Sequence, residues 1–89
     1  MKIIIDTIVF LSALIKDSST RRIIMESGWE FYYPEISFHE VRKYKELVIK
    51  KSKLTEEEYT NLVTTLLKYI KLIPDEQIIS NLEEAKRIL

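Results

Sequence analysis

Three consecutive isoleucines, Ile3 to Ile5, stand between Lys2 and Asp6. An unbroken β-branched run of this kind predicts a strand buried on both faces, as in a parallel sheet, with Asp6 where the strand ends. From Thr7 to Ile15 apolar residues continue on every side, at Val9, Phe10, Leu11, Ala13 and Leu14, which predicts a short helix buried nearly all round. Lys16, Asp17, Ser18 and Ser19 break that run. Ser19 to Ser27 reads as a second helix with Ile23, Ile24 or Met25 inward, Arg21 and Arg22 outward, and Gly28 just past its end. Trp29 to Tyr33 is aromatic and predicts a second strand ending at Pro34. Strand, helices, strand is the start of a βαβ arrangement.

Ser37 followed three residues later by Glu40 has the form of a capping box, and Ile36 against Val41 that of a hydrophobic staple, so a helix is expected to run from there to about Ser52. Thr55 and Glu58 repeat the box. The helix that follows carries the clearest apolar stripe of the chain: Tyr59, Leu62, Val63, Leu66, Leu67 and Ile70. Leu72, Ile73 and Pro74 interrupt it, and Ser80 with Glu83 caps a last helix carrying Ile78, Ile79, Leu82, Ala85 and Leu89. No linker, internal repeat or low-complexity tract divides the 89 residues. The pattern therefore predicts one α/β domain over residues 1–89, with a short parallel sheet of about two strands and about five helices.

With 46% hydrophobic and 31% charged residues, one glycine and two prolines, the chain has the composition of an ordered, helix-rich domain. Cysteine is absent, which excludes a disulfide framework, a thiolate-ligated zinc and a thiol nucleophile. A metal site would have to use oxygen ligands or the single histidine, His39. The apolar N-terminus contains Asp6, ends at Lys16 and is shorter than the roughly 20 residues needed to span a bilayer; a cytoplasmic protein with no membrane partner is expected. Abundant Ile, Lys and Glu without Cys fit a thermophilic, archaeal-type source. Formal net charge is zero, so nucleic-acid binding, if present, must come from local charge distribution.

That distribution is uneven. Arg42, Lys43, Lys45, Lys50, Lys51 and Lys53 follow Glu40 with only Glu46 opposing them. The stretch reads either as a phosphate-tracking surface or as a solvated helix face balanced by Glu56, Glu57 and Glu58. Tyr32, Tyr33 and Tyr44 are candidates for base stacking, with core packing expected for at least two. Asp6 closes an apolar strand, and an ionised carboxylate in such a place requires a partner. It can cap the next helix or serve a ligand in the crevice at the strand ends. Glu40 carries the same two readings, as the acid of a capping box or as a second ligand. Adjacent helical residues point in different directions, so His39 is expected on the surface. Ser12 and Ser37 have no acid or histidine spaced for a nucleophilic triad.

The opening IIIDTIVFLSALI, the aromatic strand after it, and YPEISFHEVRKYKEL together resemble the archaeal and bacterial PIN domains, the family of the VapC toxins, over nearly the whole chain. In that family the first strand ends in an aspartate, usually followed by Thr, Ala or Ser and then Asn or Ser. A glutamate lies early in the helix after the second strand. Asp6 and Glu40 stand at those places. A third aspartate normally begins a later helix, and Glu83 to Lys86 is similar to the helix leading into it. The resemblance thus makes the fold PIN-like but incomplete at its C-terminal side. At Ile8 the family usually has a polar residue.

The resemblance implies a metal-dependent endoribonuclease, with Asp6 and Glu40 as catalytic residues and ligands of Mg2+ or Mn2+, acting on RNA. Missing acids would come from Asp75, Glu76, Glu83 or Glu84, or from a second subunit. The toxin branch of the family would add an antitoxin partner. The alternative is a truncated, non-catalytic remnant or an oligomeric interaction module of PIN ancestry. A homo-oligomer is expected in either case, because an incomplete sheet leaves an open edge and apolar faces to cover.

Overall fold

A backbone buried on both sides must have every polar group paired within the protein, and β-branched residues fit that environment. In the structure, a computed structural model describing residues 1–15, 18–74 and 85–88, Lys2–Ile5 accordingly forms an interior strand, β1. On one side it pairs in parallel with β2 (Glu30–Pro34), with Ile4 level with Tyr32. On the other it pairs in parallel with β4 (Ala85–Ile88), with Ile5 level with Ile88. β3 (Ile70–Ile73) adds in parallel to the far side of β2, giving the order β3-β2-β1-β4.

The α/β class and the PIN-like arrangement are as the sequence predicts, but the sheet has four described strands where the pattern suggested about two. β4 lies where helix was expected, and β3 starts at Ile70, the last residue of the expected stripe, and takes in the expected interruption at Leu72 and Ile73. Ile70 does not extend the helical stripe: the helix before it, α5 (Glu56–Leu66), closes with the Tyr69 N–H on the Leu66 carbonyl at 2.9 Å, and the chain turns into β3. Ala85 to Ile88 likewise pairs with β1 rather than continuing a helix. A short apolar run has no periodicity that separates strand from helix, and here the unpaired edges of β1 and β2 decide. The Ser80–Glu83 cap, Asp75, Glu76 and Glu84 fall outside the described residues.

Side chains alternate across the sheet as strand geometry requires. Ile3, Ile5, Phe31, Tyr33 and Ile70 face the helices, where they join Phe10, Ala13, Leu14, Ile24, Val41, Val48, Tyr59 and Leu66 in the main core. Ile4, Tyr32 and Ile73 form a smaller cluster on the opposite face.

The helices on the core side are α1 (Thr7–Leu14), α2 (Ser19–Glu26), α3 (Phe38–Lys43), α4 (Lys45–Ser52) and α5. Five helices are thus described, although the expected 37–52 helix is two, bent at Tyr44 where ψ opens to 8°, and the last expected one is a strand at 85–88. Gly28 follows the last residue of the α2 turn with φ +77°, the left-handed conformation that glycine adopts without steric cost. The capping box of Thr55 and Glu58 forms in full, with reciprocal bonds of 3.0 and 2.9 Å. Among the described residues, no helix is long and apolar enough to cross a membrane.

Candidate active site

β1 ends at Ile5, so Asp6 is the first residue beyond the strand. Its Oδ1 accepts the Val9 N–H at 3.0 Å, which makes it the N-cap of α1. The capping reading therefore holds. It does not exhaust the group: a carboxylate has two oxygens and about four lone-pair sites, and the cap takes one.

Glu40 arrives from the other side. After β2 a single 3-10 turn, Glu35–Ser37, leads into α3 and places Glu40 in the first turn of that helix. The expected capping box does not form. Ser37 has φ −83° and ψ −4°, inside the turn rather than in the extended conformation that capping requires, and its side chain makes no cap hydrogen bond. Ile36, expected to staple onto Val41, is 61% exposed while Val41 is buried. Glu40 instead turns inward, and its Oε1 accepts the Thr7 hydroxyl at 2.8 Å.

Thr7 and Tyr33 complete the cluster. The Thr7 Oγ1 lies 2.6 Å from the Tyr33 hydroxyl, and that hydroxyl donates to the Ser37 carbonyl at 2.9 Å. Tyr33 is fully buried, its ring 4.9 Å from Phe10 and 6.5 Å from Phe38, centroid to centroid. Burial pushes its phenol pKa up, the Thr7 hydrogen bond opposes that, and the charges of Glu40 and then Asp6 raise it further. Both carboxylates are thus close enough to one hydroxyl to act on it electrostatically. On sequence alone Tyr33 is one of three candidates for base stacking, at least two of which are expected in the core, and Thr7 is not singled out. The available signal was that a buried tyrosine hydroxyl needs a partner.

The same burial raises the pKa of Tyr59. Raised phenol pKa values mean that above about pH 10 the unfolded chain loses protons that the folded one keeps, so stability falls as pH rises through that value. Alkaline titration followed by circular dichroism is expected to show this loss, and Tyr59→Phe is expected to make it shallower.

The remaining candidates separate. His39 is exposed, with Nδ1 2.8 Å from the Ile36 carbonyl, a local contact. Arg42 and Lys43 occupy the last turn of the helix that carries Glu40, and both are exposed. The Arg42 guanidinium lies 5.3 Å above the Phe38 ring. Lys45 begins α4 and reaches Glu56 at 3.8 Å, which supports the charge-balancing reading at that position. Lys50 and Lys51 lie in the last turn of α4 and Lys53 just beyond it, on a different helix from Glu40. Tyr32 and Tyr33 are core residues, and Tyr44 is 38% exposed.

Asp6 directly follows β1 and Glu40 lies in the first turn of α3, after β2, so both acids stand beyond the carboxyl ends of parallel strands, the side on which open α/β sheets bind ligands. The PIN domain family model matches residues 4–89, and the chain belongs to the PIN-domain family. The class carries nuclease-type function and generally depends on divalent metal. No curated protein and no solved structure gives a significant match.

The donor set present fits a hard divalent cation. Mg2+ prefers oxygen ligands and is commonly held by one or two carboxylates, with water and phosphate completing the shell. Asp6 and Glu40 supply that number. No group of three or more potential ligands occurs among the described residues.

Proposed function

We propose that this protein is a metal-dependent endoribonuclease in which Asp6 and Glu40 hold one Mg2+ or Mn2+ ion. The reading is carried by two acids 34 positions apart in sequence that both act electrostatically on the Tyr33 hydroxyl, Glu40 also accepting from the Thr7 hydroxyl. The ion, when bound, supplies activation of water and stabilisation of charge on the leaving oxygen. Asp6 is held in place by its bond to the Val9 N–H and Glu40 by the Thr7 hydroxyl, so neither acid has to be ordered on binding. Arg42 and Lys43, one turn beyond Glu40, are suited to neutralise substrate phosphates, with Lys50, Lys51 and Lys53 extending the basic surface. The test is cleavage of labelled single-stranded RNA with Mg2+ or Mn2+, compared with Asp6→Asn.

We also propose a homo-oligomer, which a second set of acids would make functionally relevant. Ile8, 70% exposed, and Ile23, 51% exposed, line one apolar groove of about 320 Å³ with Val9, Ile24 and Phe31. Light scattering at micromolar concentration is expected to give at least about twice the 10.6 kDa chain mass. A monomeric mass rejects the proposal.

A further inference from the structure

We propose that Tyr33 is a positioning residue that acts through Thr7 on the Glu40 carboxylate; the functional part of this inference rests on the reading of Asp6 and Glu40 as the metal-holding pair. An ionised carboxylate only accepts, so the single Thr7 hydroxyl proton goes to Glu40 Oε1, 2.8 Å away. Thr7 Oγ1 then has no proton left for its 2.6 Å contact with Tyr33 and must accept there. The donor is the Tyr33 hydroxyl, whose one proton is shared with the Ser37 carbonyl at 2.9 Å.

With Thr7 donating to Glu40, the order is Tyr33 to Thr7 to Glu40, the Tyr33 proton being bifurcated between Thr7 Oγ1 and the Ser37 carbonyl. A hydroxyl that accepts from one side donates more strongly on the other, and its own proton cannot rotate away. The source of the relay is rigid, because the Tyr33 ring is fully buried and packed against Phe10 at 4.9 Å. Thr7 opens α1, Tyr33 lies on β2 and Glu40 on α3, so the relay joins three elements around the strand ends. Thr7, with both its donor and acceptor roles engaged, serves to aim Glu40.

The inference is tested with Thr7→Val, Tyr33→Phe, the double variant and Thr7→Ser. Three-bond couplings of the Glu40 side chain in metal-free protein read the positioning directly. A single rotamer is expected in the wild type and in Thr7→Ser, with rotamer averaging in Thr7→Val and Tyr33→Phe. Mn2+ affinity, measured by paramagnetic resonance, is expected to weaken about 10-fold in Thr7→Val, as for loss of an outer partner of a metal ligand. Tyr33→Phe should give a smaller loss, and adding it to Thr7→Val should give none. Couplings unchanged in Tyr33→Phe, or a Tyr33→Phe effect that persists undiminished without the Thr7 hydroxyl, would overturn the proposal. If the wild type binds no Mn2+, the metal reading fails while the couplings alone still decide whether Tyr33 positions Glu40.

Discussion

Replacing Asp6 by asparagine is expected to reduce metal-dependent RNA cleavage by more than about 100-fold, since loss of an outer-shell partner alone costs roughly 10- to 100-fold. Asparagine keeps an oxygen for the Val9 N–H, so the α1 cap survives, and only the charge that would hold a cation is removed. The fold should accordingly be unaffected, with a melting temperature within a few degrees of the wild type. Glu40→Gln should behave in the same way, because glutamine can still accept from Thr7. The two substitutions combined should be no worse than either one, as expected when two ligands serve one ion. Metal-dependent cleavage that is unchanged in Asp6→Asn would reject the site. Absence of cleavage in the wild type under both metals would favour the interaction-module alternative.

The second large effect concerns the core rather than the chemistry. Phe10→Ala is expected to destabilise the domain by about 3 to 5 kcal/mol. Phe10 has no exposed surface, and its ring packs against Tyr33 at 4.9 Å and edge-on to Phe38 at 5.9 Å. Removing it opens a cavity directly beneath the relay. A domain of this size has a total stability near the lower end of about 5 to 15 kcal/mol, so the loss is a large fraction of the whole. Thermal denaturation should show the midpoint lowered by roughly 15 to 30 °C. Ile36→Ala, at a position 61% exposed, is the control and should change the midpoint little. A comparable drop in the control would mean that the core is not where the structure places it.

Phe10, Tyr33 and Phe38 also connect stability to function. The ring that supports the core carries the hydroxyl that faces Thr7, so one side chain, Tyr33, belongs to both. Loosening of the aromatic cluster is therefore expected to reach Glu40 through Thr7 before the domain unfolds.

Local signals identified the elements whose pattern is complete within their own residues. The isoleucine run gave β1, the aromatic run gave β2, Gly28 marked the end of α2, and Thr55 with Glu58 gave a capping box that forms as written. Asp6 was legible because a carboxylate closing an apolar strand is costly unless it has a task. Glu40 was legible as a position, from its resemblance to the family pattern, but its local reading as the acid of a cap was mistaken.

What the sequence by itself determined is the apolar interior strand, the helix starts at Asp6 and Thr55, and the absence of thiol chemistry. Each of these depends on forces that act within a few residues: side-chain branching, capping and the cost of an unpaired charge. Only the tertiary structure decided that Ile70–Ile73 and Ala85–Ile88 are strands, because the backbone edges of β2 and β1 demand partners and a four-residue run cannot show that demand. It also decided that Glu40 faces Thr7 rather than Ser37. A hydroxyl on α1, reached across 33 positions, offered a hydrogen bond that the turn geometry of Ser37 does not provide.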